Sequence, residues 1–176
     1  MKFIKANKLA VLSIAVFVLV AILLALPGQF THFLPNGDKT FTYNLNGYQT
    51  IFNAGKNHLN NALGNSVVGG GIAIVVLTFV SIALICLTNI SSFFVLLSAI
   101  VNVIIGSLFF AMEGFVSKSY PFPVLDKAFC GWPTYLCGAL VMLLALYVGY
   151  NAVKMMISEV KHPSAPKGPS YNYLKK

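Results

Sequence analysis

Few side chains in this 176-residue chain are equipped for chemistry, and their spacing leaves most of them without a partner. The three cysteines, Cys86, Cys130 and Cys137, make neither a C-x-x-C redox pair nor a metal-ligand pattern. His32 and His58 have no cysteine or carboxylate at ligand spacing and read as interfacial polar residues, so no metal is expected. Cys86 lies within the second apolar run and reads as a small hydrophobe. Cys130 and Cys137 bracket a connector, and a disulfide between them requires alpha carbons within about 7 Å. Glu113 stands at the edge of an apolar run, where a solvated boundary acid is the expectation. Ser98, Asn102 and Gly106 repeat every fourth residue and share one helix face. Small side chains there permit close approach, and a buried amide can bridge to a neighbour. No nucleophile lies beside a base, and there are no paired carboxylates and no phosphate loop. The expectation is a chain that is not an enzyme and holds no cofactor.

The elements that must carry these residues are apolar runs at 9–26, 67–88, 93–112 and 134–157, each of about the 20 residues that cross a bilayer's hydrocarbon core. None holds Lys, Asp or Glu before Lys154. With 57% hydrophobic and 9% charged residues, the chain lies far from the roughly 25% charged of a soluble globule. Core helices of a soluble protein would also need a polar face, which these runs lack. The expected fold is an all-α membrane protein, a bundle of four transmembrane helices with a small β-meander in its first extracytoplasmic loop.

Charge gives the expected threading. All twelve cations are lysine, which with abundant Asn suggests a low-GC genome and leaves no arginine for bidentate recognition of phosphate or guanine. No nucleic-acid partner is expected. The two ends, 1–8 and 158–176 with Lys154 just before, hold eight lysines against Glu159, whereas the two connectors hold four lysines against three acids. By the positive-inside rule both termini are cytoplasmic, in a multi-pass protein of the cell membrane. The first run is long for a signal-peptide core and is followed by no small-x-small site, so it reads as an uncleaved anchor. Residues 89–92 leave room only for a tight cytoplasmic turn.

The first outer loop, 27–66, reads as a meander over 30–52. Extended residues from Phe30, a Pro35-Asn36-Gly37-Asp38 turn and an alternating segment from Lys39 precede Asn46-Gly47, the preferred type I′ pair, and a returning strand over 48–52. A short amphipathic helix could follow in 54–65. The second outer connector, 113–133, interleaves aromatics with prolines, which suits the headgroup-level aromatic belt or a docking surface. Tyr43, Tyr48 and Trp132 are the candidate partner-binding residues. The Pro- and Lys-rich tail, 158–176, reads as disordered and attracted to anionic lipid.

Four helices with both ends inside, a strand-bearing first outer loop and a shorter second one are similar to the layout of the claudin and tetraspan scaffolds. The likeness is one of topology. The first loop has neither the Trp nor the cysteine pair that claudins carry, so no family residue transfers. The C-x-x-C that quinone-linked thiol oxidases require is also missing. The function expected is that of a non-enzymatic scaffold or accessory subunit, its outer loops binding a membrane or envelope protein. The alternative is a small homo-oligomeric transporter or channel subunit that uses the Ser98, Asn102 and Gly106 stripe.

Overall fold

The computed structural model describes residues 2–27, 30–36, 39–51, 65–119 and 128–161, with side chains over 8–27, 46–49, 69–88, 90–115 and 130–161, Asn89 there excepted. The expected amphipathic helix, the disordered tail from 162 and the side chains of His32, Tyr43 and His58 lie outside that set. Five helices are present: α1 (Lys2–Leu24), α2 (Gly47–Ile51), α3 (Asn65–Cys86), α4 (Ser92–Ser119) and α5 (Trp132–Lys161). A 3-10 turn, Leu87–Asn89, links α3 to α4.

The four-helix count is not matched. Among the described residues three segments are long and apolar enough to cross a membrane, Gly69–Cys86, Ser92–Phe115 and Trp132–Lys161; the first apolar helix, Lys8–Leu24, is shorter. That segment covers about 25 Å at 1.5 Å per residue, against a hydrocarbon core of about 30 Å, within an α1 that runs 23 residues in all, about 35 Å. It stops because Pro27 cannot continue it, and the Ala25 and Leu26 amides close onto the Ile22 and Leu23 carbonyls in tightened three-residue turns.

The three-strand meander expected over 30–52 is not formed either. Residues 48–51, helical in α2, do not return as a strand. Asn46 instead caps α2: its side chain accepts from the Gln49 amide at 2.8 Å, and the Gln49 side chain accepts from the Asn46 amide at 3.0 Å. This reciprocal capping box satisfies two amide donors that a hairpin would have used differently. Gly47 admits the close approach of α1, since a Cβ there would sit 2.6 Å from Leu24 Cδ2. The extended segments β1 (Phe30–Asn36) and β2 (Lys39–Leu45) lie antiparallel, and the short β3 (Ala128–Cys130) from the second connector pairs on the other side of β1.

The bundle is built on an antiparallel α4–α5 pair. Along it Ser92 meets Glu159, Ala99 meets Gly149, Gly106 meets Met142 and Glu113 meets Tyr135. Inside a membrane, lipid is as apolar as leucine, so such contacts stabilise by close packing rather than by removal from water. Gly106 and Gly138 serve that end: a Cβ at Gly106 would lie 3.3 Å from the Gly138 carbonyl, and one at Gly138 3.1 Å from the Phe110 ring. Val95, Ile105, Phe109, Val141 and Val148 fill the interior. α3 folds back on α4, and α1 lies against both α3 and α5. Cys137 contacts the Val20 carbonyl and the end of α1 meets Ile74 near the start of α3, so α1 runs antiparallel to both. The starts of α1 and α4 and the ends of α3 and α5 therefore share one end of the bundle.

Candidate functional site

The described chemistry falls into a buried polar seam at mid-bundle and a polar contact at each end. The seam joins α3 to α4. Ser81, in the apolar 67–88 run, donates its hydroxyl to Asn102 Oδ1 at 2.6 Å. The Ser98 hydroxyl lies 2.8 Å from that of Ser81 and donates to the Ser81 carbonyl at 3.1 Å. All three residues are fully buried. Polar groups at this depth persist when they satisfy one another, because nothing else in the hydrocarbon region can. Asn102 Nδ2 and the buried Ser13 hydroxyl on α1 have no hydrogen-bond partner among the described residues.

The three stripe residues do not share one neighbour. Ser98 and Asn102 serve the α3 interface, while Gly106 packs on Met142 and Gly138 of α5. The small residues of α5 also turn inward: Ala145 is buried and Gly149 sits against Ala99. Asn102 therefore faces Ser81 inside the bundle, fully buried.

At the end of the bundle that carries the outer connectors, α4 continues to Ser119, so Glu113 is a half-buried helical residue. The Tyr135 hydroxyl donates to Glu113 Oε2, and the Tyr135 ring stacks on Phe110 with centroids 6.3 Å apart. Cys130 lies close by at the end of β3. Burial, and to a smaller degree the Glu113 charge, push its thiol up to about 12, so it stays protonated and unreactive at neutral pH. The disulfide allowed by the spacing is not made: Cys130 and Cys137 are separate, buried free thiols, the latter turned to α1. Cys86 is exposed at the end of α3. No cluster of three or more His, Cys, Asp or Glu able to hold a metal occurs among the described residues.

No known protein family and no curated protein matches the chain. The site must therefore be judged on its own geometry.

Of the candidate partner-binding residues, Trp132 is exposed at the start of α5. Tyr48 is partly exposed and donates its hydroxyl to the Ala21 carbonyl at 2.8 Å, tying α2 to α1. Tyr43 falls in β2, opposite His32 in the β1 register. Tyr48 also closes one end of an apolar cavity of about 280 Å³ between α1 and α3, lined by Phe17, Val20, Leu24, Ile74 and Phe79. Its lining offers hydrocarbon contacts and no free polar anchor, since Thr78 is already bonded to the Ile74 carbonyl.

At the opposite end the Ser92 hydroxyl donates to Glu159 Oε2 at 2.6 Å. This pairing was not legible in the sequence because the partners are 67 residues apart. It places a carboxylate at the start of α4, where the helix dipole favours negative charge.

Proposed function

We propose that the chain is a non-enzymatic membrane scaffold or accessory subunit that holds another membrane or envelope protein at its outer end. The observation that carries this reading is the closed seam. Ser81, Ser98 and Asn102 are buried and hydrogen-bonded across α3 and α4, which spends the mid-membrane polar groups on packing. A transport path would need such groups to face a wet opening. Trp132 and Tyr48 are exposed at the end where β3 of one connector joins β1 of the other, which supplies a surface for such a partner.

On this reading the protein resides in the cell membrane with both termini in the cytoplasm. Lys8, Lys154 and Lys161 lie towards one end of the bundle and are exposed, as the positive-inside rule requires of a cytoplasmic face.

The test is purification in mild detergent followed by mass spectrometry of co-eluting proteins. A stoichiometric companion that is lost on Trp132→Ala and kept on Asn102→Leu is the expected result. Transport or conductance in proteoliposomes that Asn102→Leu abolishes would overturn the scaffold reading in favour of a channel subunit.

A further inference from the structure

α1 packs on α3 and α5, and both of these pack on α4, so the four long helices form a ring in which α1 faces α4 across the bundle axis. Each of those two helices carries a buried polar side chain at the centre of its inward face. At about 100° per residue, the buried residues of α1 follow one another around the helix in the order Leu9, Val20, Ser13, Leu24 and Phe17, with Ser13 in the middle. On α4, Ser98 turns to α3 and Gly106 to α5. Asn102 lies midway between them and so faces the axis.

The packing brings the two residues to one level. Cys137 meets the Val20 carbonyl, and Ser13, two turns before Val20, therefore lies level with Leu144, two turns after Cys137. Ala99 packs on Gly149 and Gly106 on Met142, which sets Asn102 beside Ala145 and Leu146. Ser13 and Asn102 thus stand within about one helical turn of each other in depth.

Ser13 is 1% exposed and Asn102 0%. Asn102 uses Oδ1 to accept from the Ser81 hydroxyl, while Nδ2 and Ser13 Oγ have no hydrogen-bond partner among the described residues. Two such groups facing one axis from opposite sides call for a shared partner, because an unmet polar group in an apolar interior is costly. The chemistry selects which. The partner must accept from the Nδ2 amide and bond to the Ser13 hydroxyl. A metal cation is repelled by the amide N–H groups. An anion would need a countercharge, and Lys8 and Lys154, the nearest lysines along α1 and α5, are exposed and more than a turn away. Water meets both demands and brings no charge into the interior.

We propose that a water molecule is bound at the bundle axis, accepting from Asn102 Nδ2 and donating to Ser13 Oγ, and so bridges α1 to α4. Small side chains at this level, Ser81 and Ala145 with Ser13 itself, leave it room. Immobilising the molecule offsets much of what its hydrogen bonds return, so the bridge fixes how α1 is seated more than it adds to the stability of the seam. It does not depend on what the outer end holds.

Solid-state NMR of the nitrogen-labelled chain in lipid bilayers tests this by following magnetisation transfer from water to side-chain amides. The Asn102 resonance is identified as the one missing from Asn102→Leu. Transfer to it is expected in the native chain and in Ser13→Thr, and at least about five-fold weaker transfer in Ser13→Val, which has the shape of threonine without the hydroxyl. No transfer to Asn102 in the native chain, or equal transfer in the Thr and Val variants, would overturn the proposal. If the Val variant does not fold, the native chain decides by itself.

Discussion

Replacing Ser81 by Ala should destabilise the bundle more than replacing Asn102 by Leu, although asparagine is the larger and more polar residue. The Ser81 hydroxyl is the hub of the seam, bonded to Asn102 and adjacent to the Ser98 hydroxyl. Its removal leaves the whole Asn102 amide buried and unpaired, because Nδ2 already has no partner among the described residues. That penalty, about 1–3 kcal/mol for a buried polar group, suggests roughly 2 kcal/mol for Ser81→Ala. Asn102→Leu removes one membrane hydrogen bond, worth about 0.6–1.7 kcal/mol, yet also removes the unpaired amide and leaves Ser81 its contact with Ser98. The two effects offset, so the net change should stay within about 1 kcal/mol. Unfolding in mixed detergent–SDS micelles, followed by circular dichroism, gives both values and their coupling in the double variant. A loss for Asn102→Leu that exceeds the loss for Ser81→Ala, or no coupling between the two, would refute the argument.

Three other outcomes follow from named contacts. Gly106→Val should lose about 1–3 kcal/mol in the same unfolding assay, because the Gly138 carbonyl lies 3.3 Å from any added Cβ and is backbone that cannot move aside. Asn46→Ala should cost about 1 kcal/mol by removing the α2 cap, and Asn46→Asp should recover most of it; equal stabilities would remove the capping box from the account. Maleimide at neutral pH should label Cys86 well before Cys130, whose burial and neighbouring Glu113 hold it protonated. The unfolded thiol ionises from about 9 while the folded one keeps its proton to about 12, so stability should fall as pH rises between those values and recover in Cys130→Ala.

The apolar runs were legible because hydrocarbon imposes length and composition residue by residue. Helix limits were harder. The first helix stops at Leu24 rather than Leu26 because two tightened turns precede Pro27. Asn46-Gly47 was ambiguous in kind: the same pair opens a hairpin or caps a helix, and Gln49 at the third helical position decides for the helix. The spacing of Ser98, Asn102 and Gly106 puts them on one helix face. The face could not reveal that its two ends meet different helices, nor that Ser81, rather than Thr78 or Thr88 of the same run, is the partner of Asn102. Ser92 with Glu159 and Tyr135 with Glu113 are joined only by the antiparallel register of α4 and α5.

Those last two contacts clamp α4 to α5 at points 21 residues apart on α4, a separation of about 31 Å along the helix. A pair fastened at both ends cannot slide to shorten or lengthen its oily belt. Where bilayer thickness departs from that value, the protein must tilt as one body or deform the surrounding lipid, at a fraction of a kcal/mol per Å. The length of that oily belt is therefore a property of the fold and not of the surrounding lipid.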